Sequence, residues 1–233
     1  MSRIILAWYT RFDIFAGLLG GWEMVLDRKW FLYSETFLQQ QVAEEPAELN
    51  WRIESASAKL RRIARDMITH FANYGKGESS QDQFLKDNDS IRRMLNDWRI
   101  NLDPTLQDDR FLVTEYPDAP VDPNAVFDRY VPGAIYHGPL WSMNIILIDW
   151  YSLDVMHKYQ TALFLKTDPD PEIYAGAFTT CRLFETVEYF PESPPGTTLC
   201  LHAALAIAFI FLPRDEKHHM WARRKLASIE CQG

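Results

Sequence analysis

Hydrophobic positions recur at steps of three and four along most of this chain, the signature of amphipathic α-helices. The rhythm is clearest from Leu49 to Tyr74, where Leu49, Ile53, Ala56, Leu60, Ile63, Met67, His70 and Tyr74 keep it without a miss. Arg52, Lys59, Arg61, Arg62, Arg65 and Asp66 fall off that stripe. The pattern predicts one helix about 40 Å long. Gly75-Lys76-Gly77-Glu78-Ser79 ends it, after which Phe84, Asn88, Ile91, Leu95, Trp98 and Leu102 repeat the spacing up to Asp103-Pro104. Ser80 followed by Gln83 has the form of a capping box. So short a loop between two long helices predicts an antiparallel hairpin, with a coiled-coil dimer as the rival arrangement.

Upstream, Ile5, Trp8, Phe12, Phe15 and Leu19 give the stretch Ile4 to Leu26 an apolar helical stripe, read as core-facing, which Gly20-Gly21 brings to an end. Arg11 and Asp13 flank Phe12, and charges beside a buried stripe need a partner. A charge-assisted tie from one of them to another helix is expected. Asp27 is placed to cap a second helix reaching Ala43.

Downstream, prolines 104, 117, 120, 123, 132 and 139 make residues 104–138 an irregular connection, with 110–116 lying extended against the helices. Pro139 suits the first position of a helix that is apolar on nearly every side from Leu140 to Leu153 and continues to about Lys166. That helix should be central, with Asp149 and Asp154 near the core. A helix from Glu172 to Tyr189 puts Ile173, Ala177, Cys181 and Phe184 on one side, and Thr197 to Leu212 reads as a second all-apolar helix. After Pro213, Asp215 and Glu216 favour the start of a last helix, with His218, Ala222, Leu226 and Ile229 on one face and Arg223 and Arg224 off it. Convincing β-hairpin signals are absent. The expected fold is all-α: a single domain over residues 1–233, built as a multi-helical bundle of antiparallel helix pairs around two central apolar helices.

Composition narrows the function. At 233 residues, 47% hydrophobic and 14% aromatic, the chain can bury one substantial core, or at most two small ones. A net charge of −8 with no long basic run argues against nucleic-acid binding, which depends on neutralising phosphates. Cys181, Cys200 and Cys231 are too few and too scattered for a disulfide framework or a zinc site, and a reduced compartment is the simplest reading. The apolar run Leu199–Leu212 is too short to cross a bilayer, and the N-terminus lacks the form of a signal peptide.

Candidate chemistry is sparse. His218 and His219 are adjacent, so they diverge by about 100° on a helix and cannot chelate one ion together. Asp87-Asn88-Asp89 lacks the glycine and glutamate of a calcium loop, because Arg92 and Trp98 stand there. Asp108-Asp109 has no third aspartate to complete the magnesium site of a terpenoid synthase. No nucleophile elbow, P-loop or dinucleotide fingerprint occurs, and Cys181 and Cys200 read as small core residues. Arg61, Arg62 and Arg65, like Arg223, Arg224 and Lys225, read as solvated helix faces. These residues supply no catalytic, metal or DNA-binding set, and no cofactor. Aspartates within an aromatic helical core remain open either as the lining of an effector pocket or as a satisfied structural network.

Trp8 to Phe31, reading WYTRFDIFAGLLGGWEMVLDRKWF, resembles the opening of the regulatory, or middle homology, domain of fungal-specific transcription factors with a zinc binuclear cluster. The resemblance continues through Tyr130-Val131-Pro132-Gly133, Gly138-Pro139-Leu140-Trp141, Asp149-Trp150, Lys158-Tyr159-Gln160-Thr161 and Ser193-Pro194-Pro195-Gly196. It closes on Phe211 to His218 and Met220 to Leu226. It spans nearly the whole chain in the family's order. What it implies is a nuclear regulatory domain that modulates transcription through a small-molecule effector, co-regulators, itself or full-length relatives, without catalysis. The family's six-cysteine cluster is missing here and Trp22 is an unexpected residue after the glycines, so the resemblance implies a domain truncated at both ends and unable to bind DNA alone. Uncovered apolar surface would then favour self-association. The alternative is an all-α small-molecule-binding protein or enzyme with a buried pocket between helices.

Overall fold

The computed structural model describes residues 3–21, 23–116 and 125–231. Trp22 and the prolines at 117, 120 and 123 lie outside them. The described chain is all-α, with eight α-helices and three short 3-10 turns. It groups into two compact units, Met1–Gln107 with Leu163–Lys166, and Asp108–Ala162 with Thr167–Gly233. The division at Gln107 and Asp108 falls inside the proline-rich connection.

The first unit holds α1 (Arg3–Gly20), α2 (Arg28–Glu44), α3 (Leu49–Gly75) and α4 (Gln81–Ile100). α3 is its axis and packs against the other three. Ile63, Ala64 and Met67 at its middle are wholly buried, because α3 is covered from more than one side. α2 runs antiparallel to it, since Arg28 meets Asp66 while Glu35 meets Arg62. α4 is antiparallel as well. Phe84 at its start stacks on His70 at a ring distance of 4.6 Å and packs tilted against Tyr74 at 4.1 Å, while the Trp98 indole N–H at its end donates to the Ala56 carbonyl at 2.9 Å. The hairpin expected from the spacing is therefore present. Ser80 accepts the Gln83 backbone N–H at 3.2 Å, but the Gln83 amide turns to Asp87 at 2.8 Å, so only the serine half of the capping box forms.

α1 turns a different face to the core than its periodicity predicts. Its inward face carries Leu6, Thr10, Asp13, Ile14 and Leu18, while Ile5, Trp8, Phe12 and Leu19 of the expected buried stripe are exposed, leaving only its Phe15 inside. The helix is apolar on two sides, so periodicity alone does not say which side meets the core. Asp13 decides it. Its two carboxylate oxygens accept the backbone N–H groups of Val25 and Leu26, each at 2.9 Å. The tie expected of Asp13 thus goes to the segment ahead of α2 rather than to a helix, and the Arg11 guanidinium lies 5.1 Å over the Phe15 ring.

The second unit holds most of α5 (Trp141–Leu165), then α6 (Glu172–Tyr189), α7 (Thr197–Ile210) and α8 (Glu216–Glu230). Its opening segment is partly extended, as expected, but pairs with another part of the connection. Val113 donates to Ile135 at 2.9 Å and His137 to Phe111 at 2.8 Å, around an antiparallel bridge between Leu112 and Tyr136. Asn144 of α5 fixes that bridge by exchanging two 2.8 Å hydrogen bonds with the Tyr136 backbone. α6 approaches α5 closely at Gly176, where a Cβ would stand 2.7 Å from Val155.

α7 is buried along Leu201, Ala204, Leu205 and Ala208, but Leu199 and Ile210 are open to solvent. Cys200, expected in the core, is exposed on that outer side. α8 departs further from expectation. Its buried stripe is Trp221, Lys225 and Ile229, so of the expected face of His218, Ala222, Leu226 and Ile229 only Ile229 is buried.

Candidate functional site

The second unit contains an open groove of about 670 Å³ where the end of α7 meets the start of α8. Phe209, Leu212, Ala222 and Leu226 supply apolar wall, and Arg214, Asp215, Glu216, His219 and Arg223 supply charge around it. The local sequence explains the shape. Pro213 stops α7, and Asp215 caps α8 by accepting the His218 backbone N–H at 2.9 Å. The Asp215 carboxylate also meets the His218 imidazole Nδ1 at 2.8 Å, which fixes that ring beside the groove. The hydrogen bonds from His218 hold the Asp215 carboxyl below its usual range, so it stays ionised at neutral pH.

A buried charge network lies against one wall of this groove. Phe209 packs edge-on to Trp221, with ring centroids 5.3 Å apart, and the Trp221 indole N–H donates to Glu185 of α6. Glu185 is almost wholly buried. The Lys225 ammonium bonds Glu185 at 3.0 Å and also bonds Glu188. Arg129 faces the other Glu185 oxygen at 3.7 Å. Both cations lie over the Tyr189 ring, Arg129 at 4.2 Å and Lys225 at 4.8 Å. Two carboxylates thus face two cations, and the group is neutral as a whole. Burial works against the Lys225 charge, but the Glu188 hydrogen bond and the Glu185 field outweigh it and raise its pKa. One turn away, burial, reinforced by Glu185, pushes the Cys181 thiol well above its ordinary range. That thiol stays protonated and is no activated nucleophile.

Most residues weighed from the sequence lie elsewhere or are already engaged. Lys225, expected on a solvated basic face, is buried and paired. Arg61, Arg62 and Arg65 are likewise drawn onto Glu54, Glu35 and Asp66 rather than presented as an open cationic face. Asp87 and Asp89 sit within α4, and Asp108 caps the 3-10 turn Asp109–Phe111 while binding Arg110. Asp154 pairs with Lys158 at 2.8 Å, and neither it nor Asp149 lines the groove. Among the described residues no three histidine, cysteine or carboxylate side chains converge in a way that would hold a metal ion, and no helix is long and apolar enough to cross a membrane. The Glu185 network has only a faint mark in the sequence, a carboxylate one turn after Cys181 on the same buried stripe of α6.

No protein-family model, no curated protein and no solved structure matches this chain. The groove and the network beside it are therefore read from their own chemistry.

Proposed function

We propose that this chain is a regulatory module of the fungal-specific transcription-factor type, which modulates transcription in the nucleus through effector or protein contacts. It binds no DNA by itself and turns over no substrate. The observation that supports this reading is the α7–α8 groove. It is lined by Leu212 to Glu216, His218, Ala222, Arg223 and Leu226, which belong to the runs Phe211 to His218 and Met220 to Leu226 that carry the resemblance. An open apolar trough with a charged rim suits a small amphipathic ligand or one face of a short helix. Its wall residue Phe209 touches Trp221, so an occupant bears directly on the Glu185–Lys225 network. The pairing of Arg62 and Lys225 with carboxylates supports the lack of a phosphate-binding face.

The chain fused to an unrelated DNA-binding domain should change expression of a reporter carrying that domain's site. Ala222→Trp, which fills the groove from a half-buried position, should abolish the change while leaving the helical circular dichroism intact. Reporter output that ignores the fused chain would refute the regulatory reading. So would sequence-selective, salt-dependent gel shifts by the purified chain alone.

A further inference from the structure

α1 leaves an apolar seam in solvent that no other described part of the chain covers. Ile5, Trp8, Phe12 and Leu19 are 55%, 65%, 61% and 47% exposed, and Ala16 is exposed between the last two. Trp8 and Phe12 stack on each other at 5.8 Å, so the seam is ordered as one surface. These side chains with neighbouring Tyr9 present roughly 600 Å² of apolar surface, at the top of what ordinary monomers expose and close to the roughly 800 Å² per partner of a stable interface. A bilayer surface fits poorly, because interfacial helices set a lysine- and arginine-rich face opposite their apolar one, whereas α1 faces inward through Thr10, Asp13 and Ile14.

The order of residue sizes along the seam names a better occupant. Ile5 and Leu19 each stand seven residues from Phe12, and Trp8 and Ala16 each stand four. Two copies of α1 laid antiparallel about a two-fold axis at Phe12 therefore match Ile5 with Leu19, Trp8 with Ala16, and Phe12 with itself. The largest side chain meets the smallest, as close packing of helices requires. A two-fold axis makes one patch complementary to itself, and antiparallel helices set their dipoles in the favourable sense. We propose that this chain forms a homodimer through the exposed face of α1, with Phe12 on the two-fold axis. The dimer is independent of the regulatory reading and forms whatever the groove binds.

Sedimentation velocity on the full chain across micromolar dilutions tests it. The parent should dissociate as a dimer, and Phe12→Glu should weaken the dissociation constant about a hundredfold, as loss of a central anchor does. Ala16→Trp should do the same by blocking the site for Trp8, at a position where the single copy has room. In a Cys200→Ser, Cys231→Ser background, Phe12→Cys should cross-link to itself under mild oxidation, whereas Ile5→Cys should do so only when mixed with Leu19→Cys. A parent that stays monomeric, alone or with phosphatidylcholine–phosphatidylserine vesicles bound, would overturn the proposal. A dimer unmoved by both Phe12→Glu and Ala16→Trp would also overturn it, as would self-linking of Ile5→Cys alone, which signals parallel helices.

Discussion

Each unit joins two of its helices through charged side chains, but at different depths. In the first, Asp66 of α3 binds Arg28 through two hydrogen bonds, of 2.9 and 3.1 Å, and also meets Arg62 and Arg65. Arg28 is nearly half exposed and can turn part of its guanidinium to water, while Arg62 and Arg65 keep 16% and 19% exposure. In the second, the Glu185 and Lys225 side chains are 2% and 10% exposed, and water reaches little of either. An ion pair at the surface adds little, because each partner is solvated when the other leaves. A buried one adds little over apolar packing, yet losing either member strands a charge in a medium that cannot solvate it. Depth therefore changes how much a protein depends on its pair more than what the pair contributes.

Glu185→Ala should produce the largest effect. It leaves the Trp221 indole N–H without its acceptor and Lys225 with one carboxylate instead of two, at an expected cost of about 3–5 kcal/mol to the second unit. Denaturant melts with hydrogen exchange of α6 and α8 would measure it. The same residues anchor the groove wall through Trp221, so ligand or partner affinity should fall along with stability. Asp66→Ala should cost the first unit less, about 1–2 kcal/mol, because Arg28 regains water and Arg62 keeps Glu35. Equal losses in the two variants would break the comparison and show that depth is not the controlling variable.

The contrast also explains which parts were legible in the sequence. α3 and α4 could be read from spacing because their stripes are apolar on one side and charged on the other. α6 was legible to the residue at both ends, through Pro171 before it and the Pro191 turn after it. α1 and α7 carry apolar residues on both sides, so their faces are chosen by remote partners: the Val25 and Leu26 backbone for Asp13, and the neighbouring helices for α7. The burial of Lys225 is hidden for the same reason. Its carboxylates lie on another helix, nearly forty residues earlier in the chain, and nothing in Arg223-Arg224-Lys225 itself separates the buried lysine from the two exposed arginines. The break at Pro213 and the Asp215 cap were legible, but not the groove, because its walls form only where the end of α7 meets the start of α8.

Proton linkage gives the smallest effect and sharpens the contrast, because the buried groups of the two units respond at opposite ends of the pH scale. In the first unit, burial among Phe71 and Phe84 lowers the His70 pKa, with Asp87 pulling weakly the other way. Burial raises that of Asp66, but the Arg28 hydrogen bond with the fields of Arg28, Arg62 and Arg65 outweighs it and leaves it lowered. A group whose pKa is depressed on folding gives stability above its unfolded value, lost as pH falls through the folded one. The first unit should therefore weaken from about pH 6.5 downward, with a further step below about pH 4. In the second unit, Lys225 and Lys158 are both raised, since Glu188 and Glu185, and Asp154 and Glu172, outweigh the effect of burial. Their stability is full below the ordinary lysine range and is lost as pH rises through the folded values, above about pH 10.5. His70→Phe should flatten the upper acid step and Lys225→Met should shrink the alkaline one, each leaving the other in place. Thermal melts of the two variants against the parent across pH would detect this, and profiles that superimpose on the parent's would remove the linkage from both units.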